Sequence, residues 1–178
     1  SSQLTETEVA AMVQSLRPAA ILRAPDVASA PGAREITLDA LREMRALPPC
    51  GWQMGDPERL AYIVYTSGTS GKPTAVAHAH RAIWARQMMI RDWYDLRQTD
   101  RVLHAGAFNW TFTLGTGLMD PWTVGATSII PGPDSSIDDL PTILRDQEAT
   151  LFAAAPGIYR KLLKNKANLS NLSLRHGL

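Results

Sequence analysis

A short loop rich in glycine and hydroxyl residues is the part of the sequence whose composition most directly suggests chemistry. Residues 66–73 read Thr-Ser-Gly-Thr-Ser-Gly-Lys-Pro. Glycine lets the backbone adopt positive φ angles and approach a ligand closely. Successive backbone N–H groups, beside hydroxyls and a lysine, form a cradle for an anion. The loop therefore suggests a polyphosphate-binding site, although the same residue types also occur together in ordinary hairpin turns.

Other glycine motifs do not fit this loop. A Walker loop requires glycine where this chain has Thr66, and serine or threonine where it has Pro73. The nucleophile elbow Gly-x-Ser-x-Gly requires a final glycine where this chain has Lys72. A dinucleotide fingerprint that begins at Gly115 requires glycine where this chain has Asp120.

Strand and helix patterns alternate around the loop. Short runs of apolar and β-branched residues predict strands at residues 19–22, 60–65, 74–78, 102–105, 127–130 and 150–153. Capping residues and apolar stripes predict helices that begin near residues 5, 37, 81, 112, 138 and 156, while residues 24–36 have the composition of a loop. Because such alternation is typical of parallel sheets covered by helices, we expect an α/β fold.

Charge and cysteine content exclude several classes of protein. Lys and Arg number 18 against 17 Asp and Glu, a net charge of +1, so no basic excess is available for nucleic acid or an anionic membrane surface. The single cysteine, Cys50, excludes an internal disulfide and a cysteine-rich metal site. No apolar run approaches the roughly 20 residues of a membrane span, and the first residues lack a signal-peptide pattern. We therefore expect a cytoplasmic chain with no nucleic-acid partner.

The loop and its surroundings closely resemble the phosphate loop of adenylate-forming enzymes. The matching string runs from Tyr65 to Pro73 and continues with Val76 and His80. This superfamily includes acyl-CoA synthetases, the adenylation domains of peptide synthetases, and luciferases. Further matching segments are residues 100–103, 120–126, 149–163 and 173–175.

The resemblance implies an α/β fold with a mostly parallel sheet flanked by helices, and a two-step ligase reaction. A small carboxylic acid attacks the α-phosphate of ATP to give an acyl-adenylate and pyrophosphate, and a thiol, usually that of coenzyme A, then takes the acyl group. By the same resemblance, Thr66 lies near Mg²⁺ and Lys72 at the charged exit of the loop. The residues implied to hold the β- and γ-phosphates are Ser67, Gly68, Thr69, Ser70 and Gly71.

One position departs from the family pattern. The family usually continues Pro-Lys-Gly after the loop, whereas this chain reads Pro-Thr-Ala, so Thr74 replaces the lysine on the phosphate side. Lys72 is a candidate to replace it, because residues i and i+2 share a face in an extended chain. The missing cation predicts weaker ATP binding or slower adenylation.

A group of residues falls where the family lines its acyl pocket: His104, Phe108, Asn109 and Trp110. Aromatic side chains there suit a small or aromatic acid, since they provide contact area with defined shape. Ordinary core packing is the alternative for the aromatic residues, and a hydrogen-bonded buried histidine is the alternative for His104.

The expected organisation is a remnant of a preceding α/β subdomain with its linker over residues 1–54, followed by the phosphate-loop and acyl-pocket part over residues 55–178. The family's later Tyr-Gly-x-Thr-Glu motif, ribose-binding aspartate and catalytic lysine do not occur here. We therefore expect an internal fragment of an acid–thiol ligase, with no catalytic residue of its own and inactive alone. Open sheet edges predict self-association. The alternatives are a catalytically impaired nucleotide-binding or interaction module and an amino-acid adenylation domain.

Overall fold

The computed structural model describes residues 4–25, 27, 29, 32–66 and 73–178. The chain divides into two compact units, Ser1–Met54 and Gly55–Leu178. Within the described ranges, no helix combines length with apolar character to the degree that crossing a membrane requires.

The first unit contains two helices and a small parallel sheet. Its elements are α1 (Glu6–Leu16), β1 (Ala20–Arg23), β2 (Arg34–Thr37) and α2 (Leu38–Met44), with β1 parallel to β2. The prediction of a loop over residues 24–36 is therefore wrong at residues 34–36. β2 is mostly exposed and shows no alternation of apolar and polar residues, so only its pairing with β1 identifies it as a strand.

Side-chain caps define the starts of both helices in this unit. The backbone N–H of Thr5 donates to Oε2 of Glu8 at 2.8 Å, and the N–H of Glu8 donates to Oγ1 of Thr5 at 3.3 Å. Oγ1 of Thr37 accepts the N–H of Ala40 at 3.1 Å. These bonds satisfy N–H groups that have no partner inside a helix, and both predicted caps are confirmed.

The second unit begins with an antiparallel hairpin. β3 (Leu60–Thr66) pairs with β4 (Thr74–Ala79), and the short helices α3 (His80–Ala85) and α4 (Gln87–Asp92) follow directly. The single helix predicted from residue 81 is therefore interrupted at Arg86, the residue between α3 and α4.

A four-stranded parallel sheet forms the rest of the second unit. Its elements are β5 (Arg101–Ala105), α5 (Thr111–Leu114), a π-turn (Gly115–Met119), α6 (Asp120–Val124), β6 (Thr127–Ile129), a 3₁₀ turn (Ile137–Asp139), α7 (Leu140–Asp146), β7 (Leu151–Ala154), α8 (Pro156–Lys164) and β8 (His176–Gly177). The order across the sheet is β6-β5-β7-β8. The helix predicted over residues 112–119 is thus divided into α5 and the π-turn.

Helices cover both faces of this sheet. Leu103 of β5 packs in one cluster with Leu144 of α7 and Leu162 of α8. Val102 packs in a second cluster with Tyr94, which follows α4. Successive residues of a strand point to opposite faces, so β5 has apolar contacts on both sides, as a central parallel strand requires.

The connections leave neighbouring strands in opposite directions. β5 leads to β6 on one side of the sheet, whereas β7, which is adjacent to β5, leads to β8 on the other side. In open α/β sheets, ligands bind in the crevice at the carboxyl ends of two such strands. The carboxyl ends of β5 and β7 therefore mark where a site is expected in this unit.

Candidate functional site

The hairpin holds the two ends of the glycine-rich loop opposite each other. Thr66, the last residue of β3, is the direct partner of Thr74, the first residue of β4, and both side chains are exposed. The candidate phosphate-binding residues between them lie outside the described residues: Ser67, Gly68, Thr69, Ser70, Gly71 and Lys72. In this region the structure therefore describes the two strand ends that flank the loop.

An aromatic pair supports the hairpin. Tyr62 of β3 and His78 of β4 are cross-strand partners, and their rings stack with centroids 4.5 Å apart and an interplanar angle of 8°. Cross-strand aromatic pairs of this kind contribute a few tenths of a kcal/mol to about 1 kcal/mol. The stack therefore helps to fix the register that places Thr66 opposite Thr74.

A cavity of about 450 Å³ lies at the carboxyl end of β5. The residues that line it are Ala105, Gly106, Ala107, Phe108, Ile130, Pro131, Gly132, Pro133, Ser135, Ser136, Ile137, Leu140 and Ile158. Its wall is mainly apolar, with serine hydroxyls as its polar side chains. Phe108, which the family resemblance assigns to an acyl pocket, contributes to this wall.

Asn109 and Trp110 are placed differently from Phe108. Asn109 is exposed, and Trp110 keeps 63% of its surface accessible while it precedes the first residue of α5. Core packing, the alternative explanation for these aromatic residues, is therefore wrong for Trp110. All three residues come shortly after the end of β5 in the chain. Of the three, only Phe108 lines the cavity described above.

His104 is buried within the protein. Its residue is 3% exposed, and neither ring nitrogen has a hydrogen-bond partner within the described part of the chain. Its ring lies edge-on to Phe112, with centroids 4.6 Å apart. Burial lowers the pKa of His104 from 6.5 to about 4, so the imidazole is neutral at physiological pH. The alternative of a buried histidine is therefore confirmed as to burial, but the described residues supply no hydrogen bond to it.

Gly106, one of the residues that line the cavity, lies beside the His104 ring, since a Cβ added to Gly106 would be 3.2 Å from Cε1 and Nδ1 of that ring, although His104 itself does not line the cavity. His104 packs against the π-turn: a Cβ added to Gly117 would lie 2.7 Å from Cβ of His104. Glycine at position 117 is thus required by the close approach of the π-turn to β5.

A buried ion pair joins the hairpin side of the unit to the segment after β5. Nε of Arg86 donates to Oδ1 of Asp120 at 2.7 Å, and a terminal nitrogen of Arg86 donates to Oδ2 at 2.6 Å. The Tyr94 hydroxyl donates to the same Oδ2 at 2.6 Å, and Arg86 also donates to Oγ1 of Thr116 at 3.3 Å. Asp120 is 1% exposed. We refer to these four residues as the Arg86 network.

Burial and charge act in opposite directions on the arginine of this network. Burial alone would lower the pKa of Arg86, but its hydrogen bonds to Asp120 and the charge of that carboxylate raise it. Burial, followed by the bond to Asp120, raises the pKa of Tyr94. Arg86 and Tyr94 therefore keep their protons at physiological pH, so both remain hydrogen-bond donors to Asp120.

The Arg86 network is not identified by sequence reasoning, although one signal for it exists. Asp120 stands in an otherwise uncharged segment, residues 111–132, and an aspartate in such a segment is seldom buried without a partner. The partner, Arg86, lies 34 positions away in the chain, so local sequence pattern does not identify it.

The side chains of this unit offer little for a metal ion by themselves. Across the described ranges, no group of three or more His, Cys, Asp or Glu side chains is arranged to hold one. Thr66 offers an exposed hydroxyl, which is the kind of hard oxygen ligand that Mg²⁺ accepts. The exposed Thr66 hydroxyl therefore fits one ligand position of a magnesium ion.

Comparison with known proteins matches the chain to one enzyme family. A family model described as AMP-binding enzyme matches residues 1–178. A 3-hydroxybenzoate--CoA/4-hydroxybenzoate--CoA ligase of Thauera aromatica is 35% identical over 115 residues, which cover 64% of this chain and 22% of that protein. Gramicidin S synthase 2 of Brevibacillus brevis is 29% identical over 123 residues, which cover 67% of this chain and 3% of that protein.

Solved structures show the same fold. The anthranilate CoA ligase AuaEII in complex with anthranoyl-AMP superimposes with a TM-score of 0.85 and 21% identity, over 99% of this chain and 38% of that one. The expected fold, α/β with a mostly parallel sheet flanked by helices, is confirmed. The chain spans about a fifth of the length of the Thauera ligase that it matches.

Proposed function

The chain belongs to the AMP-binding enzyme family, and we propose that the protein containing it is an ATP-dependent acid–thiol ligase. In the first step a carboxylate oxygen attacks the α-phosphorus of ATP, and pyrophosphate leaves. In the second step the sulfur of coenzyme A attacks the carbonyl carbon of the acyl-adenylate, and AMP leaves. The names of the hydroxybenzoate and anthranilate ligases support this reaction.

The observation that carries the proposal is the geometry of the hairpin. The pairing of Thr66 with Thr74 brings together the two ends of a segment made of glycine, hydroxyl residues and a lysine. Backbone N–H groups in such a segment bind phosphate oxygens, and positioning the phosphates is the main catalytic task in adenylation. In this proposal the hydroxyl of Thr66 contributes to Mg²⁺ binding, and the segment from Ser67 to Lys72 binds the β- and γ-phosphates.

The cavity at the end of β5 supports an aromatic or other apolar acid as the substrate. Phe108, Ile137 and Ile158 provide an apolar wall, and none of the residues that line this described cavity carries a carboxylate. The ammonium group of an amino acid would lose its hydration there without a compensating charge, which costs several kcal/mol. An aromatic acid with a neutral ring has no ammonium group in the cavity, so it avoids this desolvation cost.

Two other functions have a specific observation in their favour. The similarity to gramicidin S synthase 2 supports an amino-acid adenylation domain. Thr74, in place of the family's lysine, supports a module that binds nucleotide but has lost catalysis. The uncharged cavity disfavours the first of these, and Lys72, two residues from Thr74, offers a substitute cation against the second.

The division of the chain and the setting of the reaction are part of the proposal. Residues 1–54 are assigned to the preceding α/β subdomain, and residues 55–178 to the part that binds phosphate and acid. Because the chain spans about a fifth of the Thauera ligase, catalysis is assigned to a larger protein and not to these residues alone. The substrates ATP and coenzyme A favour a cytoplasmic setting. The exposed edges of the sheet favour self-association of the isolated residues.

The test is acid-dependent exchange of pyrophosphate into ATP by the complete protein. The panel contains benzoate, hydroxybenzoates, fatty acids and amino acids, and mass spectrometry then detects the coenzyme A thioester. Exchange with an aromatic acid, followed by thioester formation, is the expected result. Exchange with amino acids alone would identify an adenylation domain, and ATP binding without exchange would identify the impaired module.

A further inference from the structure

The Arg86 network connects the segment that follows the hairpin to the connection between β5 and β6. Arg86 follows α3, which begins at the residue directly after β4 of the hairpin. Its partners Thr116 and Asp120 lie in the π-turn and at the start of α6, within the connection from β5 to β6. The Arg86 side chain therefore joins the end of α3 to the segment between β5 and β6.

The contact between Arg86 and the π-turn is unusually close. A Cβ added to Gly115 would lie 2.2 Å from Cζ of Arg86 and 2.3 Å from a terminal nitrogen. Any side chain at this position would displace the guanidinium. Glycine at position 115 thus lets the guanidinium lie against the backbone of the π-turn while it binds Asp120.

The opposite side of the π-turn rests on β5. Gly117 packs against Cβ of His104, and Phe112 of α5 lies edge-on to the His104 ring. The segment from residue 111 to residue 120 is therefore held between Arg86 on one side and His104 on the other. Ala105 to Phe108, which line the cavity assigned to the acid, precede this segment and are separated from it by Asn109 and Trp110.

The π-turn is a single turn of π-helix, a rare form that frequently occurs at functional sites. A bidentate arginine–carboxylate pair supplies directional bonds, which fix orientation more strictly than apolar packing does. These features occur together here. Arg86 and Asp120 form the directional pair, and Gly115 leaves room for the guanidinium against the π-turn.

We propose that Arg86 and Asp120 are positioning residues for the acid site, and this inference rests on the proposed function. They hold the π-turn and α5 in the arrangement that shapes the cavity wall at Phe108. Their loss raises the KM for the acid and leaves the KM for ATP nearly unchanged, because the partners of Arg86, Asp120 and Thr116, lie after β5 and not in the hairpin.

The experiment compares three variants of the complete protein. Asp120→Asn removes the carboxylate and leaves the Arg86 cation buried. The triple variant Arg86→Met, Tyr94→Phe, Asp120→Leu removes the polar groups together, and such apolar replacements often keep the stability of a buried pair. Asp39→Asn, which removes the exposed partner of Arg42 in the first unit, is the control.

We expect both network variants to raise the KM for the acid between about tenfold and a hundredfold, since small misplacements at a reacting group have effects of that size. The triple variant recovers the melting temperature that Asp120→Asn loses, but its acid KM stays raised, because packing does not replace the directional bonds. A normal acid KM in the stable triple variant, or an equal rise in the KM values of acid and ATP, overturns the proposal.

Hydrogen exchange separates this inference from the proposed function. In Asp120→Asn, the amides of residues 111–119 exchange faster, whereas those of β3 and β4 keep wild-type rates. If the wild-type protein turns over no acid, the proposed function fails, and the exchange pattern alone decides about the positioning. Unchanged exchange at residues 111–119 would show that the network does not hold the π-turn.

Discussion

Arg175 and Asp100, 75 positions apart, form an ion pair that connects the start of β5 to the segment leading into β8. Nε of Arg175 donates to Oδ1 of Asp100 at 3.0 Å, and a terminal nitrogen of Arg175 donates to the other carboxylate oxygen. Asp100 also accepts the Thr150 hydroxyl at 2.7 Å and the N–H of Arg97 at 2.7 Å. A single buried carboxylate thus joins the segments that lead into three strands of the sheet.

Replacement of this carboxylate is expected to destabilise the fold. Asp100→Ala leaves Arg175 and the Thr150 hydroxyl without their partner, and breaking a buried pair costs about 3 kcal/mol or more. Urea unfolding followed by circular dichroism measures the loss. The exposed Asp134→Ala is the matched control and should change the free energy of unfolding by less than about 0.5 kcal/mol. Equal effects of the two substitutions would contradict this account.

The same carboxylate predicts a loss of stability in acid. Burial would raise the pKa of Asp100, but the bonds from Arg175, Thr150 and Arg97 outweigh burial and lower it below its ordinary value of 3.8. The folded state therefore binds this proton less readily than the unfolded state, and the contribution is complete above pH 3.8 and is lost below it. Stability curves recorded between pH 2 and 5 for wild type and Asp100→Asn should converge towards the acid end.

His104 predicts a second pH dependence at higher pH. Its pKa is about 4 in the folded protein against an ordinary value of 6.5, so only the unfolded state gains the proton between these values. Stability is complete above pH 6.5 and falls by up to about 3 kcal/mol as the pH drops to 4.

His104→Leu removes this group and also removes two buried nitrogens that have no partner in the described residues. We expect the variant to be at least as stable as wild type at pH 7 and to lose the dependence between pH 4 and 6.5. His80→Leu, at an exposed position, is the control and should keep it. If the pH dependence of stability persists in His104→Leu, another group is its cause.

Gly117→Ala tests the contact between the π-turn and β5. The added Cβ would lie 2.7 Å from Cβ of His104, so one of the two backbones must move, at a cost of about 1–3 kcal/mol. Gly157→Ala in α8 is the control, because nothing lies within 4 Å of its added Cβ, and alanine there should be neutral or stabilising. Thermal unfolding of both variants provides the comparison.

Thr74→Lys tests the missing cation at the phosphate loop. If Thr74 limits nucleotide binding, the lysine should tighten binding of a non-hydrolysable ATP analogue about fivefold, which corresponds to ~1 kcal/mol. Ala75→Lys adds the same charge at the next residue, whose side chain points to the opposite face of β4, and should have little effect. Equal gains from both variants would indicate a general charge effect, and no gain would contradict the hypothesis that Thr74 limits nucleotide binding.

Local features of the chain were predictable where neighbouring residues carry the signal. The cap at Thr5 with Glu8, the cap at Thr37, and the strands on either side of the glycine-rich loop are each encoded by residues a few positions apart. Their physical cause is equally local: a capped N–H group, a side-chain period or a β-branched run. The string from Tyr65 to Pro73 was also sufficient to indicate the family.

Features that depend on distant partners became visible only in the folded chain, although local pattern was enough for the order and type of most elements. β2 is a strand because β1 pairs with it, and the break at Arg86 places a guanidinium beside Asp120. His104 is buried without partners in the described chain because Phe112 and Gly117 pack against it. These contacts form because the connections of the sheet bring segments that are distant in the chain close together in space. Local sequence pattern carries no information about such proximity.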